Sequence, residues 1–313
     1  MQILSELRYP TRWYTKLLMA LLAIVFFAVL ASISISAFLV YRIVKPQRST
    51  SEISMASFPG RPDTVNFDVP GGLGTREGWF FPGLRGAPTI ILCHGYGSSR
   101  GELLTIVSTL QDHQFNVFVF DFAAHGSNLG ITTLGYREAD ELRAAMNTVA
   151  QRDDVDPNSF GLWGYNLGAY VSLREAESDK RVKALVLDSV YDAPTQLVKE
   201  GVERNGLGGI PLMVRAGEQS FEWLNYKYKN SVPLTQNLKN IAGVPTLWIE
   251  AADDPELASV TKQMFQKAPE PKEQVVLQHG DFTKMADDDK RVYENRIVSF
   301  FLTKIPATGQ GER

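Results

Sequence analysis

The alternation of short apolar runs with helical patterns is the feature that most restricts how this chain can fold. Eight runs rich in β-branched and aromatic residues predict strands. They are TVNFDV (64–69), REGWFF (76–81), PTIILC (88–93), NVFVFD (116–121), SFGLWG (159–164), KALVLDS (183–189), PTLWIEA (245–251) and QVVLQ (274–278). Eight strands predict a single large sheet. Other secondary-structure elements must pack on the faces of such a sheet to bury its apolar side chains.

The segments between the runs are predicted to be helices that pack on these faces. Apolar residues recur there at spacings of three and four, which is typical of helices packed on a sheet. The segments are 100–113, 135–152, 167–178 and 288–304. Strands that alternate with helices predict an α/β fold with a mostly parallel, eight-stranded sheet and helices on both faces. Ligands bind such sheets beyond the carboxyl ends of the strands, so the loops after strands are where a site is expected.

A different pattern occupies the N-terminus. Residues 17–41 are uncharged and largely apolar, and this length exceeds the roughly 20 residues needed to cross a hydrocarbon core about 30 Å thick. We therefore expect a single-pass transmembrane helix in contact with the lipid bilayer. The alternatives are a cleaved signal peptide and a buried helix. The run is longer than a signal peptide's apolar region, and no convincing cleavage site follows it.

The flanks of this helix carry interfacial aromatics and cations. Trp13, Tyr14 and Tyr41 stand at its ends, where such residues are enriched. The cations are Arg8, Arg12 and Lys16 on one side and Arg42, Lys45 and Arg48 on the other. They nearly balance, so they do not decide the orientation. Because long domains are exported whatever their charge, we expect the N-terminus inside and the following domain on the extracytoplasmic side.

The predicted membrane anchor and the rest of the chain differ in the sign of their net charge. The 313 residues carry a net charge of −3, of which residues 1–45 contribute +4, so residues 46–313 carry −7. The predicted organisation is an N-terminal flank (1–16), the transmembrane helix (17–41), a linker (42–61), an α/β domain (62–304) and a C-terminal tail (305–313). No basic block suggests contact with nucleic acid. The single cysteine, Cys93, ends an apolar run and is expected to be a buried small hydrophobe.

Four loops after predicted strands carry residues capable of chemistry. His94-Gly95-Tyr96-Gly97 follows the third strand, and Gly164-Tyr165-Asn166-Leu167-Gly168 follows the fifth. Asp253 and Asp254 follow the seventh strand, and His279 follows the eighth. An elbow apex, then an acid, then a histidine is the chain order of the α/β-hydrolases.

With these motifs the chain resembles the α/β-hydrolase superfamily over about residues 62–304. It is most similar there to the membrane-anchored serine-hydrolase group related to serine aminopeptidases and prolyl-oligopeptidase-type peptidases. The likeness is carried by HGYGSSRGE, DFAAHGSNLG, TTLGYREADEL, DVDPNSFGLWGYNLGA and ALVLDSVY.

The resemblance implies a role for each site residue. Asn166 stands in the nucleophile position, Asp254 in that of the acid and His279 in that of the base. The backbone N–H groups of Tyr96 and Leu167 would form the oxyanion hole. The elbow glycines are Gly164 and Gly168.

Other interpretations of these residues stay open. Asp253 is a weaker claimant to the acid position, and Asp254-Pro255 is also typical of a simple turn. His279 also fits an ordinary polar loop residue. His94 and His125 belong to the HG segments and are expected to shape loops rather than transfer protons.

Asparagine at the apex decides the expected function. Its amide nitrogen is conjugated with the carbonyl and lacks the lone pair that makes a serine oxygen nucleophilic. Asparagine nevertheless tolerates the left-handed backbone of an elbow. We therefore expect a catalytically impaired, hydrolase-like protein. It would bind a small-molecule or peptide ligand, or a partner, in the pocket that holds the substrate in an active hydrolase.

Two alternatives to this expectation remain. The first is an active hydrolase in which His279 and Asp254 activate water, or in which Ser98 or Ser99 replaces the missing nucleophile. The second is a purely structural role. The sequence shows no metal cluster or phosphate-binding loop, so no cofactor is expected.

The segment 195–243 falls where the superfamily inserts a lid. Its aromatics Trp223, Tyr226 and Tyr228 fit two interpretations equally well. They line an apolar acyl or peptide pocket, or they pack on their own domain.

Overall fold

A computed structural model describes residues 12–49, 61–282 and 284–306. Arg8, most of the predicted linker and residues 307–313 of the predicted tail lie outside the described residues. The chain divides into two compact units. The helical unit comprises Met1–Ile43 and Leu197–Lys229, and the sheet unit comprises Val44–Gln196 and Asn230–Arg313.

The sheet unit contains one eight-stranded sheet of order β1-β2-β4-β3-β5-β6-β7-β8. Only the β1–β2 and β2–β4 pairs are antiparallel, and the other five pairs are parallel. The strands are β1 (Asp63–Asp68), β2 (Thr75–Phe81), β3 (Ala87–Cys93), β4 (Asn116–Phe120), β5 (Val155–Tyr165), β6 (Val182–Asp188), β7 (Thr246–Ala251) and β8 (Lys272–Leu277). The eight predicted strands and the mostly parallel sheet are confirmed.

Helices connect these strands. They are α2 (Leu104–Asp112), α3 (Tyr136–Val149), α4 (Leu167–Ala176), α7 (Pro255–Lys267) and α8 (Asp287–Lys304). Short 3₁₀ turns occur at Arg100–Leu103, Leu234–Gln236 and Leu238–Ile241. Helix α7 is not among the predicted helices, because Asp254-Pro255 at its start is also typical of a turn.

The core of the sheet unit forms around the central strands. Every residue of β3 and β4 is buried, which explains why their sequences are continuous apolar runs rather than alternating ones. Trp163, Phe282, Tyr293 and Phe301 belong to the same cluster of buried side chains. A rigid core at this place fixes the strand ends from which the site loops leave.

Among the described residues of the helical unit, the helices are α1, α5 and α6 in chain order. Helix α1 spans Trp13–Val44, α5 spans Pro194–Arg204 and begins in the sheet unit, and α6 spans Pro211–Leu224. A 3₁₀ turn follows at Tyr226–Tyr228. Helix α1 is long and apolar enough to cross a membrane, although a signal sequence or a core helix also has these properties.

A small apolar cluster holds the helical unit together. Leu39 of α1 packs there with Val202 of α5 and Met213 of α6. A Cβ atom built on Gly201 of α5 would lie 2.5 Å from the Ile43 side chain, so glycine is needed for this close helix contact.

Candidate active site

The register of the sheet brings four loop starts to one edge. Tyr165 at the end of β5 pairs with Asp188 at the end of β6. Asp188 pairs in turn with Ile249 of β7, and Ala251 of β7 pairs with Leu277 of β8. Because these strands are parallel, the residues that follow them leave the sheet on the same side. The loops that carry Asn166, Asp253 and His279 are therefore neighbours.

Asn166 occupies the apex of a strand-to-helix elbow. Its backbone has φ 50° and ψ −106°, a conformation that few non-glycine residues adopt. Its N–H donates to the carbonyl of Asp188 at 2.9 Å, and its own carbonyl accepts from the N–H of Tyr170 at 3.1 Å. The surrounding chain thus holds the backbone of Asn166 in a strained conformation.

Two glycines make the elbow possible. A Cβ atom on Gly164 would lie 2.2 Å from backbone atoms of Gly168, and one on Gly168 would lie 1.9 Å from the carbonyl oxygen of Cys93. Both distances are far below van der Waals contact, and the opposing atoms are backbone that cannot rotate away. Helix α4 can therefore approach β3 and β5 only because these positions lack side chains.

One predicted oxyanion residue lies at the elbow and the other lies in the loop after β3. Leu167 is the first residue of α4 and is fully buried, so its side chain fixes the helix start against the core. Tyr96 lies in the loop after β3, and its ring centroid is 5.9 Å from that of His125. Their role as an oxyanion hole stays a prediction.

His279 faces an aspartate in the loop after β7. Its Nδ1 atom lies 3.4 Å from a carboxylate oxygen of Asp253. The other carboxylate oxygen of Asp253 accepts a hydrogen bond of 2.9 Å from the backbone N–H of Gly280. The His279 side chain is 67% exposed, so the imidazole is accessible to solvent and ligands. An aspartate that also binds the chain next to the histidine can orient its ring.

The acid predicted from the sequence has another partner. Asp254 is the N-cap of α7, and its side chain accepts from the N–H of Leu257 at 3.1 Å. The following Pro255 stands at the first helical position, where proline is favoured. The structure therefore pairs His279 with Asp253 and leaves Asp254 as a helix cap, contrary to the preference for Asp254. The sequence supports either aspartate, because neighbouring residues differ mainly in the direction of their side chains.

A buried polar network beneath this edge was not predicted. Asp188 is fully buried and accepts hydrogen bonds from the Tyr293 hydroxyl at 2.6 Å and the Ser189 hydroxyl at 2.9 Å. The Tyr293 oxygen accepts in turn from the indole N–H of Trp163 at 3.2 Å. Burial is the main cause that raises the pKa of Asp188, to about 7. Ser189 has a positive φ of 53°, a second strained residue at the same edge.

Burial also shifts the pKa values of three other residues that the sequence analysis singled out. It lowers the pKa of His94 and of His125 to about 4, so both imidazoles are neutral near pH 7. His94 Nε2 accepts from the N–H of Phe122 at 3.0 Å, which ties the loop after β3 to the loop after β4. Burial raises the pKa of the Cys93 thiol to about 12. The expectations that the histidines shape loops and that Cys93 is a buried hydrophobe are confirmed.

The serines considered as substitute nucleophiles differ in their surroundings. Ser98 donates a 2.5 Å hydrogen bond to Glu102. Ser99 is buried, and its hydroxyl has no hydrogen-bond partner in the part of the chain that the structure describes. Within the described ranges, neither serine forms a hydrogen bond with His279. The same described ranges contain no group of three or more His, Cys, Asp or Glu side chains that could hold a metal ion.

Comparison with known proteins agrees with this architecture. A family model of the alpha/beta hydrolase fold matches residues 88–204. The uncharacterized protein YfhR of Escherichia coli K12 is 25% identical over 257 residues, covering 79% of this chain and 83% of that protein.

Solved structures show the same fold. The esterase Pf2001 of Pyrococcus furiosus superimposes with a TM-score of 0.66 at 19% identity, covering 84% of this chain and 98% of that one. An acylaminoacyl peptidase of Pyrococcus horikoshii superimposes with a TM-score of 0.58 at 14% identity, covering 80% of this chain and 43% of that one. The comparisons include both an esterase and a peptidase, so they do not select a substrate.

Proposed function

On the premise that this chain is an α/β-hydrolase-fold protein, we propose that it is a membrane-anchored member that has lost ordinary serine-hydrolase chemistry. It binds a small-molecule or peptide ligand at the carboxyl edge of the sheet. The observation that supports this proposal most strongly is Asn166, which stands at the strained apex of an intact elbow.

The chemistry of the apex follows from its side chain. A serine attacks a carbonyl when a histidine accepts its proton, whereas the lone pair of an amide nitrogen is delocalised into the adjacent carbonyl. The elbow glycines and the His279–Asp253 pair are nevertheless present. A site that keeps the elbow and the histidine–aspartate pair but lacks the attacking atom favours binding over turnover.

Restoring the nucleophile tests the proposal. The full chain in detergent should hydrolyse short p-nitrophenyl esters only weakly, and Asn166→Ser should raise this rate well above background. Asn166→Ala is the matched control, since it changes the same apex without adding a hydroxyl. The double variant Asn166→Ser with His279→Ala should lose the gain. Equal rates for all four proteins would contradict the proposal that the nucleophile is the missing component.

A second candidate is an active hydrolase. It is supported by the exposed His279 imidazole beside Asp253, a pair able to activate water or a serine. A fluorophosphonate probe separates the two candidates. Strong labelling of a serine in the unmutated chain, abolished by His279→Ala, would favour the active hydrolase and overturn the binding proposal.

The proposed location is the membrane, with α1 as a single span and the sheet unit on the extracytoplasmic side. It is supported by the apolar length of α1 and by the export of long domains whatever their charge. Protease added to intact cells should cleave the domain. A domain that resists the protease until the cells are lysed would reverse the orientation.

A further inference from the structure

A groove lies within the helical unit, between α1 and α6. Its volume is about 600 Å³. This value falls within the roughly 300–1,000 Å³ typical of sites that bind small ligands. The groove is separate in sequence from every residue placed at the carboxyl edge of the sheet.

One wall of the groove is a stripe of α1. Ile33, Ala37, Val40 and Tyr41 line it at spacings of three and four residues, so they share one helix face. Ala37 is the small residue of this stripe. A neighbouring face of α1 is packed within the protein, because Ser36 and Leu39 are buried.

The other wall is a stripe of α6. Ala216, Ser220 and Leu224 line it at a spacing of four, with Gln219 and Trp223 beside them. The Ser220 hydroxyl donates to the carbonyl of Ala216 at 2.6 Å, so it is satisfied within its own helix. The small residues on both walls leave room for the groove, and the lining of the groove is predominantly apolar.

The position of the α1 wall indicates what fills that space. Residues 17–41 exceed a hydrocarbon core in length, and residues 33–41 form the last part of this stretch, about 12 Å of helix. If α1 spans the membrane, these residues lie within one leaflet, from the depth of its acyl chains to the interface at Tyr41. The α6 stripe faces the same groove and therefore lies at the same depth.

Exposed apolar side chains on α6 agree with this depth. Trp223 is 80% exposed, Leu212 is 55% exposed and Leu224 is 45% exposed, although Met213, Gly217 and Phe221 on the same helix are buried. Exposed apolar residues on a helix that already buries another face are typical of helices in the membrane interface, and tryptophan is enriched there.

We propose that the groove binds one acyl chain of a bilayer phospholipid. The chain enters from the leaflet that contains residues 33–41 and lies between the α1 and α6 stripes, over Ala37, Ala216 and Ser220. This inference rests on the membrane anchoring in the proposed function. It does not depend on whether Asn166 supports catalysis.

Photocrosslinking tests the groove directly. The full chain is reconstituted in phosphatidylcholine nanodiscs that contain a phosphatidylcholine with a diazirine in the middle of one acyl chain. After irradiation, mass spectrometry locates the lipid adducts. We expect adducts on residues 17–32, which contact bulk lipid, and on residues 216–224 of α6. Ala216→Phe fills the groove and should cause loss of the α6 adducts while the adducts on residues 17–32 persist.

Matched variants make the result specific. Leu212→Phe adds a ring to an exposed position of the same helix outside the groove and should leave the α6 adducts in place. Ala37→Phe fills the groove from the opposite wall and should repeat the loss, which guards against misfolding of α6 as the cause.

Each contrary result overturns the inference. Unlabelled α6 beside labelled residues 17–32 would show an anchored chain without a lipid in its groove. Equal labelling of α6 in the wild type, Ala216→Phe and Ala37→Phe would show non-specific contact. Crosslinks between two copies of the chain through residues 216–224 would assign the groove to an oligomer. Absence of adducts on residues 17–32 as well would contradict the anchor itself.

Discussion

The Nδ1 atom of His279 lies 3.4 Å from a carboxylate oxygen of Asp253, and the second oxygen of that carboxylate accepts from the backbone N–H of Gly280. Asp253 therefore contacts both the imidazole and the chain that carries it. In hydrolases of this fold an aspartate beside the base orients the ring and stabilises its protonated form during catalysis. This arrangement makes Asp253 the candidate acid. Substitutions of Asp253 and of Asp254 should therefore have different effects.

The two aspartates should differ in an Asn166→Ser background. Asp253→Ala should lower the restored esterase rate by roughly 10²- to 10⁴-fold, because the imidazole loses its orienting carboxylate. Asp254→Ala should change that rate little but lower the free energy of unfolding by about 0.5–2 kcal/mol, because α7 loses its N-cap. Esterase assays and urea unfolding of the same preparations measure both effects. The reverse pattern would return the acid's role to Asp254.

Gly168→Ala should destabilise the protein severely. The new methyl group would lie 1.9 Å from the carbonyl oxygen of Cys93, and neither backbone can move without displacing α4 from the sheet. We expect a loss of about 3 kcal/mol or more in the free energy of unfolding. Gly209→Ala is the control, because its Cβ would meet no atom within 4 Å. Similar melting temperatures for the two variants would show that the elbow packing has been misinterpreted.

Asp188 should make stability fall as the pH rises. An aspartate in the unfolded chain has a pKa of about 3.9, whereas burial raises the pKa of Asp188 in the folded protein to about 7. Between these values the folded state holds a proton that the unfolded state has lost. The free energy of unfolding therefore decreases from about pH 4 to about pH 7, by at most about 4 kcal/mol, and this contribution is constant above that range.

Asp188→Asn isolates that effect. The variant should gain stability relative to the wild type between pH 5 and pH 8, measured by urea unfolding of the full chain in detergent. Glu141 and Glu177, whose pKa values burial also raises to about 7, are present in both proteins, and their contributions cancel. Asp288→Asn, at an exposed position, should show no such gain. Parallel pH profiles for wild type and Asp188→Asn would rule out Asp188 as the source.

Helix α1 should hold the chain in the membrane fraction against high salt and alkaline carbonate, because burial of apolar surface does not depend on ionic strength. Replacing Phe26 and Phe27 with aspartate should release the protein, since each charge near the bilayer centre costs about 2.5–3.5 kcal/mol. Replacing the same residues with leucine should not. Recovery of the wild-type chain in the carbonate-soluble fraction would refute the anchor.

The sequence determined the fold of the sheet unit. Strand and helix periodicities depend on which side chains are exposed to solvent, and they are visible within a short segment of the chain. All eight strands were therefore predictable from short apolar runs. The elbow at Asn166 was predictable for a similar reason. Its glycines and its strand-to-helix context are adjacent in the chain, and the missing hydroxyl is visible in the residue itself.

Only the tertiary structure decided the partners of these residues. Whether Asp253 or Asp254 faces His279 depends on the direction of two adjacent side chains, and that direction is set when Asp254 caps α7. The network of Asp188, Ser189, Tyr293 and Trp163 joins residues far apart in the chain, and no local pattern records such contacts. The groove between α1 and α6 arises in the same way. The apolar residues of α1 are evident in the sequence, but which small residues of α1 and α6 face one another is fixed only when the two helices pack.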